Sequence, residues 1–346
     1  MIKSFQYYDQ MARQTAGAHF FYIDIEAIPS QDPTVGRLII DKHRTDPLDE
    51  STVKPAANLK DPAKVAEDLE RRLKKARQDQ VDKVTKAALA VDEDYRRTAR
   101  DESTGHIACA SVSLADGPVS NVTNAKLEAY DIHAPLDLVG IQQGEREMLE
   151  DLFAGINAML EAHAIASAEA AWDAMKREMM GDREVEVLPG GSHVRSLPEG
   201  GRDAWVKANT HLHVPVVVAH HARFDVRYIW QRAIILGVTP PSWWPIDARP
   251  WDTDRVFDTM TAWAGHGNRI GLDRLCKALG LPGKTGVDGS MVWDLVRDGR
   301  IDDVVSYFDD DVRRLRSVHR RLIGLPVLEI DAIEVPVDGD DEREAA

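Results

Sequence analysis

The chain has 346 residues, 43% of them apolar and 29% charged, an ordinary globular composition long enough for one large domain or two small ones. Its 43 lysines and arginines against 58 aspartates and glutamates leave a formal charge of −15. That excludes a protein that coats nucleic acid through a broad positive field, so an anionic substrate has to be met locally or through bound metal. Cys109 and Cys276 are the only cysteines, too few for a disulfide framework or a cysteine-rich zinc site, and they fit a reducing compartment. The N-terminal stretch MIKSFQYYDQMARQ has no apolar core behind a basic start, and no stretch approaches the roughly 18 apolar residues of a membrane span. The expectation is a soluble, cytoplasmic protein with no membrane partner.

The first strong element is HFFYIDIEAIP, residues 19–29, a β-branched and aromatic run stopped by Pro29, which predicts a buried strand. Asp24 and Glu26 lie in it at spacing i, i+2 and therefore point to the same side. Residues 30 to about 59 read as irregular and polar. Asp61-Pro62, a helix cap followed by proline at the first helical position, opens a helical arm running to about residue 100. Within it, residues 71–100 carry ten basic side chains against five acidic ones. A solvated helical face is the plainer reading and a nucleic-acid-contacting arm the sharper one. GHIACASVSLADGPVSN, residues 105–121, predicts a β-hairpin around Asp116-Gly117. A helix follows from about Gly144, with Met148, Leu149, Leu152, Phe153, Ile156 and Leu160 at helical spacing. Residues 181–212, with glycine, serine and proline, read as a surface insertion. VPVVVAH then predicts a central strand leading through HARFD into the helix VRYIWQRAIIL, ended by Gly237. Further helices are expected at 271–279, 289–298 and 301–322. The last sixteen residues, 331–346, hold seven acidic side chains against Arg343 alone and read as a disordered acidic tail.

Carboxylates at strand ends are costly to bury unless a cation compensates them, and a divalent metal is the usual solution. Asp24 and Glu26 make one pair, Asp225 sits where a strand hands over to a helix, and Tyr307 and Asp311 are four apart on the last helix and share a face. These elements, far apart in the chain, suit convergence of four carboxylates and a phenol on metal. In this order the residues resemble the motifs of the DEDD (DnaQ-like) 3′→5′ exonucleases. FYIDIEAIP resembles the first, Asp-x-Glu; AHHARFD resembles the second, ending in Phe-Asp; YFDDD resembles the tyrosine form of the third, Tyr-x-x-x-Asp, which marks the DEDDy subgroup. The stretches NLKDPAKV, GHIACASVS, RPWDTDRVFDTM, LDRLCKALGLPGK and DGSMVWDLV are further similar to exonucleases related to the proofreading domain of family B DNA polymerases.

The resemblance, covering most of 19–323, implies an α/β fold of ribonuclease H type, a mixed central sheet flanked by helices, over residues 1–330 with the acidic tail beyond. It implies Mg²⁺ or Mn²⁺ as cofactor, two ions about 3.5–4 Å apart. Asp24, Glu26 and Asp311 are implied as ligands of the one on the nucleophile side, Asp24 and Asp225 as ligands of the other, with Tyr307 orienting the attacking water. The implied activity is 3′→5′ hydrolysis of single-stranded or frayed 3′ ends, releasing nucleoside monophosphates, with DNA favoured over RNA. The alternatives are an RNA-directed exonuclease of the same fold and a non-catalytic nucleic-acid-binding module. One departure is that the asparagine commonly found four residues before the second-motif aspartate is His221 here.

Four other features have plainer readings. ALGLPGKT at 278–285 satisfies a loose phosphate-loop pattern but follows a predicted helix instead of a strand. His211 and His213 lack further ligands nearby in the sequence, against a zinc site. Asp258 reads as a helix cap or a supporting partner of the site more than as a ligand. Trp243, Trp244 and Trp251 suit either packing or stacking on unpaired bases.

Overall fold

The computed structural model describes residues 19–127, 137–180, 201–249, 251–283 and 289–328, with backbone only at 178–180, 290 and 306–308. The acidic tail, residues 181–200 of the insertion and the side chain of Tyr307 therefore lie outside the described residues.

A five-stranded mixed sheet carries the site. Its strands are β1 (Phe20–Ile28), β2 (His106–Leu114), β3 (Ser120–Thr123), β4 (Val216–Ala219) and β5 (Val256–Asp258), in the order β3-β2-β1-β4-β5. β1 runs antiparallel to β2 and parallel to β4, so it is the strand at which the sheet changes character. The helices are α1 (Pro33–Lys42), α2 (Pro62–Arg97), α3 (Leu138–Met180), α4 (Gly201–Asn209), α5 (Ala222–Leu236), α6 (Thr259–Ala264), α7 (Leu272–Ala278), α8 (Val292–Arg297) and α9 (Ile301–Leu322). A mixed five-stranded sheet with helices on both faces is the ribonuclease H-like α/β architecture.

The alternation of β1 sorts its two faces. Phe21, Ile23 and Ile25 pack with Met148, Leu149, Leu152 and Ile156 of α3 and with Val226 and Ile229 of α5. Phe20 and Tyr22 pack on the opposite side against Val312 and Leu315 of α9. Asp24 and Glu26 share the parity of Phe20 and Tyr22, which turns both carboxylates toward the α9 face. Immediately after Glu26 the register slips, with Glu26 opposite Cys109 but Ala27 opposite Ile107. Ala108 is the extra residue of a β-bulge, a device that bends a strand beside a site.

Polar groups inside this core are tied down individually. Arg316 of α9 is fully buried and donates to Ser113 Oγ (2.8 Å) and to the carbonyls of Ala115 (3.2 Å) and Gly117 (2.6 Å), clamping the β2–β3 turn to the last helix. In that turn the left-handed residue is Ala115 (φ 51°) and not the glycine of the Asp-Gly pair. Arg232 of α5 donates to both oxygens of Glu145 from α3 (2.8 and 2.6 Å), and Glu145 also accepts from the Ile107 amide (2.9 Å) and contacts His106 Nδ1 (2.9 Å). Burial works against the Glu145 carboxylate, yet these donors outweigh it and hold it below the ordinary carboxylate range.

The expected irregularity of 30–59 is corrected: Pro33–Lys42 is helical, and Asp32 caps it by accepting from the Thr34 amide (2.7 Å). The same Asp-Pro signal that opens α2 thus opens α1, and α1 is fastened to α2 through Lys42 and Asp94 (2.6 Å). The helix expected from Gly144 begins earlier, at Leu138, and the insertion contains α4. Among the described residues, five of the ten basic side chains of 71–100 are paired within the protein. Arg71 and Arg72 bind Asp68, Arg77 binds Glu50, Arg96 binds Asp92 and Asp294, and Arg97 binds Glu93 and Asp94.

Candidate active site

Ala219 ends β4, and His220 and His221 turn the chain into α5. His221 adopts φ 75°, ψ 44°, the left-handed region, where histidine, like asparagine, is enriched among non-glycine residues. That preference accounts for a histidine at the position commonly held by asparagine in the second motif. The turn places Asp225 in the first turn of α5, 4% exposed, with its Oδ2 fully buried and without a hydrogen-bond partner among the described residues. Its carboxyl is pushed well above the usual range, first by burial and then by the negative charges of Asp24, Asp258 and Glu26. Asp24 and Glu26 of the first motif are therefore within electrostatic reach of Asp225 of the second, and Asp258 joins them.

Asp258 closes β5 and caps α6, its Oδ1 accepting from the amides of Met260 (3.0 Å), Thr261 (3.2 Å) and His221 (3.2 Å). The cap reading holds, and one carboxylate thereby fixes both the α6 terminus and the turn that aims Asp225. Asp311 is buried on α9 and accepts a hydrogen bond from Arg314 (3.1 Å), itself buried one turn later. Spacing alone, three residues from Asp311, was the signal for that partner.

His220 Nε2 donates to the Ile270 carbonyl (2.8 Å), which leaves Nδ1 to accept from Thr259 Oγ1 (2.9 Å). Burial, ahead of every other influence, lowers its pKa. His220 is thus a neutral strut joining β4 to the loop after α6, with no free nitrogen for acid–base work. The ring of His221 lies parallel to that of Phe224, 6.0 Å between centroids, and its nitrogens make no hydrogen bond among the described residues.

The donors gathered around Asp225 are oxygens, which suits a hard cation such as Mg²⁺ or Mn²⁺. An orphaned carboxylate oxygen surrounded by like charges is the feature that a divalent cation compensates. Among the described residues no group of three or more His, Cys, Asp or Glu side chains stands ready to hold a metal ion.

The remaining features resolve individually. His213 lies 5.3 Å from His19, and His19 lies 4.2 Å from His163, but this group too is not arranged to hold metal. Trp244 is a core residue, its Nε1 donating to the Val226 carbonyl (3.0 Å), which removes it from base stacking. Trp251 is 68% exposed, with the Arg249 guanidinium 5.4 Å from its ring. The phosphate-loop pattern begins at the end of α7 and follows no strand; residues 284–288 lie outside the described residues.

Residues 207–322 match the family model described as a predicted 3′–5′ exonuclease related to the exonuclease domain of PolB. Over this third of the chain the protein is similar to those exonucleases. The match spans Asp225, Tyr307 and Asp311 and carries the enzyme class, a hydrolase acting on phosphodiester bonds with nucleic acid as substrate. It stops short of the strand that bears Asp24 and Glu26, which join the exonuclease segment through the sheet. The comparisons with curated proteins and with solved structures found no match. Among the described residues no helix is long and apolar enough to cross a membrane.

Proposed function

We propose that the protein is a metal-dependent 3′→5′ exonuclease that removes nucleotides from single-stranded or frayed DNA 3′ ends. The observation that carries this reading is Asp225: a buried carboxylate in the exonuclease segment, with an orphaned oxygen, in the field of Asp24 and Glu26 from the first strand. The relation of the matched family to the exonuclease domain of PolB supports DNA over RNA.

In this reading Asp24, Glu26 and Asp311 hold one divalent cation and Asp24 and Asp225 a second. Bound there, the cations supply activation of water and stabilisation of the charge on the leaving 3′ oxygen. The chain's own residues do the positioning. Arg314 keeps Asp311 oriented in a buried setting where a free carboxylate would otherwise wander among rotamers. Asp258 and the neutral His220 hold the β4–α5 turn rigid, so that Asp225 is aimed without an ordering cost at binding. Tyr307, one turn before Asp311, orients the attacking water. The water oxygen joins phosphorus as the bond from phosphorus to the 3′ oxygen of the preceding nucleotide breaks, giving a nucleoside 5′-monophosphate and a strand one residue shorter.

The test is degradation of 5′-labelled single-stranded DNA and matched RNA with Mg²⁺, Mn²⁺ or EDTA. A metal-dependent ladder shortening from the 3′ end of DNA, and weaker on RNA, is expected. A preferred RNA ladder overturns the substrate assignment, and intact polymers under every metal condition overturn the activity.

A further inference from the structure

Beside the carboxylates lies a cavity of about 480 Å³, bounded by the first turns of α5, the loop 245–249, the end of β5 and the loop 266–269. Asp258 and His221, the contact that holds the turn before Asp225, are among its lining residues, so it lies beside the candidate active site. The size is that of a small-ligand pocket. Its charge is opposite to that of the chain: Arg223, Arg227, Arg249 and Arg269 line it against Asp258 alone, in a protein of net −15.

Three of these arginines are uncommitted. Arg249 is held by Asp252 (3.1 Å). Arg223, Arg227 and Arg269 are exposed and make no hydrogen bond or ion pair among the described residues, whereas the arginines of α2 named above are all paired. Arg223 and Arg227 stand at i, i+4 on one face of α5, a like-charge spacing that disfavours the helix by about 0.2–0.5 kcal/mol. Both Arg223 and Arg269 lower the His221 pKa, after burial and against Asp258, so two elements converge their charge on the same wall. Folding alone has no use for that arrangement, and a polyanion does. Val226, Ile246 and Met260 supply apolar surface between the cations, suited to sugars and bases.

We propose that this cavity is a polynucleotide subsite, in which Arg223, Arg227 and Arg269 hold backbone phosphates of the substrate strand on the 5′ side of the bond that is cut. The assignment rests on the exonuclease reading, since a strand cut at its 3′ end has all its remaining phosphates on that side. It explains how an acidic protein grips an acidic polymer: the grip is confined to one basic wall next to the carboxylates.

The test is binding in EDTA, where no cleavage intrudes, of fluorescent dT12, dT2 and deoxythymidine monophosphate to the full chain. The variants are Arg223→Gln/Arg227→Gln and, as a charge-matched control, Lys83→Gln/Lys86→Gln on the exposed face of α2. The arginine variant is expected to lose about tenfold in dT12 affinity, to narrow the advantage of dT12 over dT2 by the same factor, and to flatten the salt dependence of log K by roughly 1.4. The lysine variant is expected to match wild type. Equal losses in both variants, or none in either, overturn the subsite. Loss confined to the monophosphate also overturns it, in favour of a free-nucleotide pocket. If the arginine variant shows the expected loss while wild type cuts no polymer with metal, the subsite stands and the hydrolytic reading fails.

Discussion

Asp225→Asn separates a catalytic carboxylate from an ordinary buried one. Asp225 is 4% exposed, its Oδ2 has no partner among the described residues, and the charges of Asp24, Asp258 and Glu26 face it. Without metal, an ionised carboxylate in that position costs about 1–3 kcal/mol, which asparagine removes while keeping shape and adding a donor toward its acidic neighbours. In EDTA at pH 7 the variant should therefore be more stable than wild type by about 1–3 kcal/mol, or roughly 2–6 °C in Tm for a chain of this size. Saturating Mn²⁺ reverses the order: at a hundredfold excess over Kd, wild type gains about 2.7 kcal/mol and the variant little. The pH dependence has a definite sign. A carboxyl raised above its ordinary value of 3.8 binds more protons when folded, so it destabilises the native state progressively as pH rises above that value. The advantage of asparagine should vanish near pH 3.8 and grow toward neutrality. Denaturant melts with EDTA and with Mn²⁺ at several pH values measure all of this. A variant less stable than wild type in EDTA, or one gaining as much from Mn²⁺, refutes the reasoning.

Further outcomes follow from the Glu145 network, from Gly105 and from the proposed role of Tyr307. Glu145→Leu leaves Arg232 buried without its carboxylate and should cost about 3–5 kcal/mol in urea melts, most of it recovered in the Glu145→Leu/Arg232→Leu double variant; equal losses in single and double variants contradict the network. Because the Glu145 carboxylate sits below its ordinary value of 4.5, the stability it confers is present above that value and is lost as pH falls beneath it. Gly105→Ala puts a Cβ 2.6 Å from the Thr98 carbonyl oxygen and 2.5 Å from Tyr228 Oη, and should destabilise by about 1–3 kcal/mol in the same melts, with no loss meaning that the 3₁₀ turn Thr98–Arg100 after α2 yields freely. Tyr307→Phe should slow turnover while keeping the Mn²⁺-induced rise in Tm; full turnover removes the tyrosine from the reaction.

The parts of the fold read from the sequence were those with local signals. The uninterrupted runs of β1 and β4, the Asp-Pro opening of α2 and the glycine ending α5 each specify their own geometry. Helix α1 carried the same Asp-Pro signal, but its ten residues are too few for a clear apolar stripe, and tertiary contact with α2 settles it. At the site, spacing within one strand was enough to align Asp24 with Glu26. The part played by Asp258 was harder to read, since it depends on β5 pairing with β4 so that one carboxylate reaches the His221 amide 37 residues away in sequence. The basic wall beside it was illegible for the same reason: Arg223, Arg227 and Arg269 become one cluster only when the loop after α6 folds back on α5. At α2, five of the ten basic side chains of 71–100 are engaged in ion pairs within the protein, which composition does not reveal.

The most direct measurement of the central claim is degradation of 5′-labelled single-stranded DNA by wild type, Asp24→Asn and Asp225→Asn, with Mg²⁺, Mn²⁺ or EDTA. The account predicts a ladder that shortens from the 3′ end with metal, disappears in EDTA, and is reduced at least about a thousandfold in both variants, the loss expected when a metal-holding group is removed from a hydrolytic site. Cleavage that persists in EDTA, or proceeds unchanged in either variant, would contradict it.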